Sequence, residues 1–362
     1  MQDLATAVKR FLDGGPGLWL APGRGVAPTG CVVTSTSGTS GEPKLVVLAR
    51  EALMVAADSA RQRLGFDATW HLALSPRYVA GLMVLVRGLR GAGVRIADPT
   101  LTTLAPAEGR NCVSLVGTQL FRALDDPAAA GRLASFDAVL VGGAALRPEL
   151  RARAEAQGIR VIETYGMSET CGGVVWDGVP LPGVEVRLGD LGRIAIAGDC
   201  LFRGYLGRDD LSADVLVDGA VLTRDRGHWN GRRLVVDGRI DDVVISGGVN
   251  VDLAVVRAAV ARHEQEAEVL AVDDAEWGAR VVLFAPGGTL AGWRDRLRPD
   301  LSAACLPRQL VSVSPLPRTP GGKPDRARLL ELLPSDDATT AGSQAPTAGK
   351  RRRSGRAGDE RQ

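Results

Sequence analysis

Lysine is nearly missing from this sequence. Of 44 lysines and arginines only four are lysines, Lys9, Lys44, Lys323 and Lys350, so a lysine in an unusual setting carries information. Cysteine is sparse too. Cys31, Cys112, Cys171, Cys200 and Cys305 are odd in number, scattered and without C-x-x-C pairing, which excludes a disulfide framework and a thiolate zinc site. No apolar stretch approaches the roughly 20 residues that a membrane-spanning helix needs. The opening Met1-Gln2-Asp3-Leu4 carries an early acid and no basic lead into an apolar run, so no secretory leader is read there. Charge of one sign is also lacking. Net charge is +2, and residues 334–362 hold six bases (Lys350, Arg351, Arg352, Arg353, Arg356, Arg361) against four acids (Asp336, Asp337, Asp359, Glu360), a difference of two. The body before that tail is neutral, which argues against a nucleic-acid-binding body. There is no internal repeat. These absences predict a reduced, cytoplasmic protein with no stable membrane insertion.

What is present suffices for a large core: 362 residues with 45% apolar content suit two domains. Residues 4–12 form a helix candidate, followed by a Gly/Pro-rich connection. From Cys31 to about Tyr165, short apolar runs at 32–33, 46–48, 71–74, 94–97, 112–116, 138–141 and 161–164 alternate with helical patterns at 53–64, 81–89, 119–124 and 148–157. That alternation predicts an α/β fold, a parallel sheet covered by helices with ligands at the carboxyl ends of its strands. Residues 176–238 change to short strands with Gly and Asp turns, a β-subdomain closing a large N-terminal domain over 1–238. Residues 239–333, with a helix candidate at 253–263, strands at 269–272 and 281–285 and a further helix near 293–301, suit a small, mobile α+β domain. Residues 334–362 read as a solvated, disordered tail.

One stretch organises the rest. Thr34-Ser-Thr-Ser-Gly-Thr-Ser-Gly-Glu-Pro-Lys-Leu-Val46 lies between two apolar runs and reads as a loop joining strands. Gly38 and Gly41 allow main-chain N–H groups to converge on an anion. Ser35, Thr36, Ser37, Thr39 and Ser40 add hydroxyl donors, and Lys44 adds a compact, mobile ammonium in a chain that otherwise prefers arginine. A flexible Ser/Gly linker is the plainer alternative, against which the tight strand flanks count. The loop suits a polyphosphate, although no Walker pattern is present.

Other segments carry chemistry. Glu163-Thr-Tyr-Gly-Met-Ser-Glu-Thr170 follows a strand and puts Glu169 beside the hydroxyls of Ser168 and Thr170, a reasonable ligand set for the Mg²⁺ that accompanies ATP. Asp225 sits in Thr223-Arg-Asp-Arg-Gly227, where its carboxylate can accept from ribose hydroxyls or, more plainly, from its own turn. Gly238-Arg-Ile-Asp-Asp242 puts charge at a boundary ahead of the Ser246-Gly-Gly-Val249 loop. Arg318-Thr-Pro-Gly-Gly-Lys-Pro-Asp-Arg326 sets Lys323 after two glycines, on a loop able to enter and leave a site.

In order and spacing these segments resemble the adenylate-forming superfamily of acyl-CoA synthetases, firefly luciferase and peptide-synthetase adenylation domains, over residues 34 to about 330. The loop from Thr36 to Lys44 is similar to that family's phosphate loop, Tyr165-Gly-Met-Ser-Glu169 to its Tyr-Gly-x-Thr-Glu motif, Asp225 to its ribose-binding Asp and Lys323 to its catalytic Lys. Arg239 and Asp241 match its Gly-Arg-x-Asp boundary, with Asp241 at the hinge. Within the superfamily, Ser75-Pro-Arg-Tyr-Val-Ala-Gly-Leu-Met-Val-Leu-Val-Arg-Gly-Leu89, Ser114-Leu-Val-Gly-Thr-Gln-Leu120 and the Glu163–Thr170 stretch are most similar to the o-succinylbenzoate–CoA ligases of menaquinone biosynthesis, in their short actinobacterial form.

The resemblance implies an acyl-adenylate mechanism using ATP, Mg²⁺ and CoA. Thr36, Ser37, Gly38, Thr39, Ser40, Gly41 and Lys44 would hold phosphates, and Glu169 would hold Mg²⁺. Gly142, Gly143, Ala144, Tyr165, Gly166 and Ser168 would flank the nucleotide, and Asp225 and Arg239 its ribose. Lys323 would bridge the acyl oxygen and the α-phosphate. Arg87, with Tyr78, Gly81, Gly166 and Met167, would line the acid's pocket, and Ser246, Gly247 and Gly248 the CoA route. For a dicarboxylate the Arg87 role is physically sensible, because the carboxylate left unreacted is costly to bury without a charged partner. The chain departs from the family in three ways. Its phosphate loop starts at residue 34, far earlier than usual; Ser40 and Ser168 stand where Thr is commoner; and Arg77-Tyr78 replaces an aromatic-His pair. The competing expectations are another aryl- or acyl-CoA ligase, an adenylation domain that loads a carrier protein, and a nucleotide-binding regulator without turnover. A homodimer is expected by analogy with the family.

Overall fold

The computed structural model describes residues 2–36, 44–319 and 323–333. Among these residues the centre is a seven-stranded sheet. Thr69–Leu72, Gly93–Ile96, Asn111–Val116, Ala138–Gly142 and Val161–Met167 run parallel, and Gly172–Trp176 and Val179–Pro180 extend one edge antiparallel. Alternation along a strand builds two cores at once. Ala138 and Leu140 join a cluster with the helices Arg50–Leu64 and Val79–Arg90. Val139 and Val141 join another with the helices Gly117–Leu124, Pro127–Ala134 and Pro148–Ala156. Both faces are covered, so these strands read as continuous apolar runs.

Two expected members of that sheet lie elsewhere. Cys31–Ser35 and Leu45–Ala49 pair antiparallel with each other, in a four-stranded sheet with Leu18–Trp19 and Gly204–Tyr205. The intervening residues 36–44 are too few for a parallel crossover, which takes about a dozen residues or more. The glycine- and hydroxyl-rich stretch is therefore the connection of a hairpin. The helix Pro127–Ala134 was not anticipated, although its start carries a clear signal: Pro127 in the first turn and Asp126 accepting from the Ala128 N–H.

Residues 176–238 contain the strands Glu185–Leu188, Arg193–Ala197, Leu216–Val217 and Ala220–Asn230, with Arg233–Arg239 running one residue past the expected boundary. Beyond it, Val243–Ser246, Val249–Asp252, Glu268–Asp274, Gly278–Ala285 and Gln309–Ser312 form one sheet with the helices Leu253–Ala261 and Leu290–Leu297. The buried clusters of this last part draw only on Val244 and later residues, and those of the preceding part only on Leu234 and earlier ones. No helix among the described residues is long and apolar enough to cross a membrane.

Candidate active site

The carboxyl end of Val161–Met167 is where the expected residues meet. At Gly166 the strand bulges and the backbone presses against Gly172 and Gly173; with φ of 156° there, a Cβ has no room. One short helical turn, Ser168–Thr170, then presents Glu169. The Tyr205 hydroxyl donates to Glu169 Oε1 at 2.6 Å, and the Phe202 N–H donates to the Glu169 carbonyl at 2.9 Å. The Lys44 ammonium lies 4.9 Å from the centre of the Tyr205 ring, and the Thr36 N–H closes the neck of the hairpin on the Lys44 carbonyl at 3.0 Å. Tyr205 therefore joins the carboxylate to the lysine of the glycine-rich stretch. Residues 37–43, which include Ser37, Gly38, Thr39, Ser40 and Gly41, lie outside the described residues.

A second tyrosine organises the other wall. The Tyr165 hydroxyl donates to Asp225 Oδ2 at 2.7 Å, and the Asp225 N–H donates to Thr223 Oγ1 at 3.0 Å. Asp225 stands opposite Arg239 in the strand pair, and Arg239 grips Asp241 through Nε and Nη2, both at 2.8 Å. Burial raises the Asp225 pKa above the ordinary carboxylate value, against the Tyr165 hydrogen bond and the charges of Arg239 and Lys323. Burial also pushes Asp241 upward, but the hydrogen bonds from Arg239 win and its pKa is lowered. Burial together with the neighbouring carboxylate raises both tyrosines, Tyr165 beside Asp225 and Tyr205 beside Glu169, so each phenol stays a donor.

Lys323 reaches this group from the far end of the chain. Its carbonyl accepts from the Thr319 N–H at 2.8 Å, Pro324 bridges to Arg318, and Asp325 caps the helix Arg326–Glu331 by accepting from the Arg328 N–H at 3.2 Å. Although the residue as a whole is exposed, the protein enclosing its ammonium lowers its pKa; Asp225 and Glu169 oppose that shift, and Arg239 and Arg326 reinforce it. Two lysines, two carboxylates and an arginine thus converge from segments almost 280 residues apart, Lys44 to Lys323.

Arg87 is set apart from that group, on the helix Val79–Arg90. Val79 and Met83, two turns and one turn before it, border Gly172 behind the bulge, so Arg87 continues the same helix face away from the cleft, and the acid-pocket position expected for it is corrected. Its guanidinium lies 5.1 Å from the Trp70 ring and 5.7 Å from that of Trp176. It is 8% exposed, its Nε has no hydrogen-bond partner, and among the described residues it forms no ion pair. Desolvation lowers its pKa to about 10. Besides the two indoles, the guanidinium borders a small cavity that it shares with Asp58, Arg61, Asp67 and Arg90.

The remaining expected residues divide. Gly142 ends its strand against Thr164, Gly143 and Ala144 are exposed at the carboxyl edge, and Glu163 Oε1 ties this loop down by accepting from the Leu146 N–H at 2.9 Å. Tyr78, half-buried, precedes the helix that carries Arg87, and Met167 pairs with Gly172. At Gly81 the backbone of Ser75 and Pro76 fills the space that a Cβ would take, so the helix packs closely against that turn. Ser246, Gly247 and Gly248 turn a hairpin whose contacts lie in the last part of the chain. Ser246 is buried opposite Gly278, and a Cβ on Gly247 would come within 2.7 Å of the Trp277 ring. Tyr205 and Thr223 had been overlooked. The one signal in the sequence for Tyr205 is rarity, since the chain holds only three tyrosines, Tyr78, Tyr165 and Tyr205.

The donor set fits a nucleotide and a hard cation. With Tyr205 engaging one oxygen of Glu169, the other remains free for Mg²⁺, which commonly takes one or two carboxylates and completes its shell with phosphate oxygens and water. Among the described residues no cluster of His, Cys, Asp and Glu could hold a metal by itself.

The fold, the carboxylate–tyrosine pairs and the converging lysines define an adenylate-forming enzyme, and comparison agrees: the AMP-binding enzyme family model matches residues 26–206, and the chain belongs to that family. More narrowly, it is 41% identical over 322 residues to a probable 2-succinylbenzoate–CoA ligase of Mycobacterium tuberculosis, covering 83% of each chain. Among solved structures, a variant of Escherichia coli MenE with bound OSB-AMS superposes with a TM-score of 0.70 at 28% identity, covering 86% of this chain and 71% of that one. The o-succinylbenzoate CoA synthetase of Bacillus subtilis, in complex with the acyl-adenylate intermediate OSB-AMP, gives 0.72 at 23% identity, covering 82% and 68%, and speaks for the fold.

Proposed function

We propose that the chain joins o-succinylbenzoate to CoA in two steps, at the expense of ATP, as a ligase of menaquinone biosynthesis. The observation that carries the choice of acid is the 41% identity, over 83% of each chain, to a probable 2-succinylbenzoate–CoA ligase. Arg87, between Trp70 and Trp176 on the part of its helix that leads away from the cleft, does not supply the partner for the acid's second carboxylate.

In the first step a carboxylate oxygen of the acid attacks the α-phosphorus of ATP, and the bond to pyrophosphate breaks. Anion meets anion, so the protein's work is alignment and neutralisation. Lys44 and the neighbouring hydroxyls hold the outer phosphates, and Glu169, oriented by Tyr205, offers its free oxygen to Mg²⁺. Bound there, Mg²⁺ neutralises phosphate charge. Asp225, fixed by Tyr165 and Thr223, accepts from the ribose hydroxyls, Arg239 donates to the ribose oxygens, and Lys323 spans the acyl oxygen and the α-phosphate. In the second step the CoA sulfur attacks the acyl carbon, its proton leaves to solvent, and the bond to AMP breaks. We read residues 1–238 and 239–333 as the two domains, with 334–362 as a tail. The second turns about Asp241, withdrawing Lys323 and bringing Ser246, Gly247 and Gly248 to the thiol's path. A cytoplasmic setting follows from substrates such as ATP and CoA.

The test is incubation with ATP, Mg²⁺ and o-succinylbenzoate, with and without CoA, beside a panel of benzoates and fatty acids, with products identified by mass spectrometry. The expected result is AMP and a thioester from o-succinylbenzoate alone. Turnover of a different acid would retain the chemistry and overturn the choice of acid. No acyl-adenylate from any acid would favour a nucleotide-binding regulator.

A further inference from the structure

The part of the chain that carries Lys323 has its own buried clusters, and among the described residues no hydrophobic cluster spans it and the rest. Something other than a shared core must fix where Lys323 lies. Among the described residues, three contacts join the helix Leu253–Ala261 and its cap to the rest. Arg226, on Ala220–Asn230 one residue past Asp225, pairs through Nη2 with Asp252 Oδ2, both side chains being partly buried. Asp252 uses its other oxygen to cap the helix Leu253–Ala261, accepting from the Ala254 N–H at 2.9 Å. The next contact is steric. A Cβ built on Gly238, at φ of 147°, falls 2.7 Å from the Ala254 Cβ, so the first turn of that helix rests directly on bare backbone. At the other end of the helix, Arg147 Nη1 donates to the Ala261 carbonyl at 3.3 Å.

From this arrangement we infer that Arg226, Asp252 and Gly238 are positioning residues for Lys323: they form the seat that holds the C-terminal unit where Lys323 faces Asp225 and Glu169. The inference rests on the role proposed above for Lys323. Its geometry is economical, because Arg226 belongs to the strand that presents Asp225 and Asp252 starts the helix that carries the unit. One ion pair therefore sets the distance between the ribose-side carboxylate and the incoming lysine. Asp252 is also shared between the pair and its helix cap, so its removal disturbs both, whereas removal of Arg226 disturbs only the seat. Arg226 is thus the cleaner position to change.

Three variants test this: Arg226→Ala, Gly238→Ala, and the charge exchange Arg226→Asp with Asp252→Arg. Adenylate formation is followed by exchange of labelled pyrophosphate into ATP, and thioester formation is followed from supplied acyl-adenylate and CoA. A third readout needs no substrate: zero-length carbodiimide coupling of Lys323 to carboxylates of residues 1–238, read by peptide mass spectrometry. For Arg226→Ala and Gly238→Ala the expected result is a roughly tenfold or larger loss of exchange and a parallel loss of coupling, with thioester formation within about twofold of wild type. The charge exchange should recover part of both losses. Equal losses in the two half-reactions mean a general structural role and overturn the inference, as does coupling that Arg226→Ala leaves unchanged. If the parent protein activates none of the acids, the reading of its function fails, and the coupling measurement still decides the seat.

Discussion

Arg87 sets the sharpest conflict between expectation and structure at the level of single side chains. Its guanidinium lies between two indoles with an unsatisfied Nε, on the part of its helix that leads away from the cleft. Replacing it with an apolar chain of similar length removes the cost of burying that charge. Arg87→Met should therefore raise the thermal midpoint by a few degrees and leave o-succinylbenzoate activation within about twofold of wild type. Calorimetry and pyrophosphate exchange measure the two effects, and a fall of about 30-fold or more, the scale of losing one partner of a buried charge pair, would restore a role in binding the acid. The pattern around Arg87 is recognisable in sequence, but not the end of the sheet at which its head group lies. Tyr205 and Arg226 were not legible there. Their partners lie 36 and 26 residues away, and only the folded sheet shows that a phenol meets Glu169 or that a strand arginine meets a helix cap.

Among the elements, the join between Arg233–Arg239 and Val243–Ser246 concentrates charge. The single turn Ile240–Asp242 places Asp241 outward toward Arg239 and Asp242 inward, 5% exposed, toward two arginines. Arg257 donates to Asp242 through Nη1 at 2.5 Å and Nη2 at 3.1 Å, and to Glu268 through Nε at 2.7 Å; Arg326, which opens the helix after Lys323, lies 3.4 Å from Asp242. Removing the shared carboxylate leaves two arginines with less than their charge matched. Asp242→Ala should destabilise the C-terminal unit by about 3 kcal/mol, the lower part of the range for breaking a buried pair, because Glu268 still holds Arg257. Hydrogen exchange resolved by peptide should show early opening confined to residues 243–333; uniform loss across the chain would speak against separate units. The Gly-Arg-Ile-Asp-Asp run announced a boundary in sequence, but not which aspartate faces in. Alternation also announced the parallel sheet, yet it mistook the strands around the glycine-rich stretch for members of it, because connection length, and not strand composition, decides between hairpin and crossover.

For the whole molecule, the question is whether Lys323 serves both chemical steps or only the first, and pH separates the cases. Enclosure lowers its pKa, so its ammonium is lost at a lower pH than the roughly 10.4 of a free lysine. Positive charge at Lys323 is what the proposed adenylate-forming step uses. That half-reaction should therefore fall as pH rises through the lowered value, earlier than an unperturbed lysine dictates. On the acid side, Asp225 is raised and must be ionised to accept from ribose, so the same half-reaction should weaken as pH falls toward a value above the roughly 3.9 of a free aspartate. In the proposed mechanism, thioester formation from supplied acyl-adenylate uses a different arrangement of the same parts. It should lack the alkaline fall, and should instead gain as the CoA thiol ionises. In Lys323→Arg the charge persists to higher pH, so the alkaline limb of adenylate formation should move upward even though the planar head group lowers the absolute rate. The measurement is a pair of pH profiles for wild type and variant, one for each half-reaction. If both half-reactions share one alkaline limb and Lys323→Arg moves neither, Lys323 does not carry the first step, and the convergence of Lys44 and Lys323 on Glu169 is architecture alone.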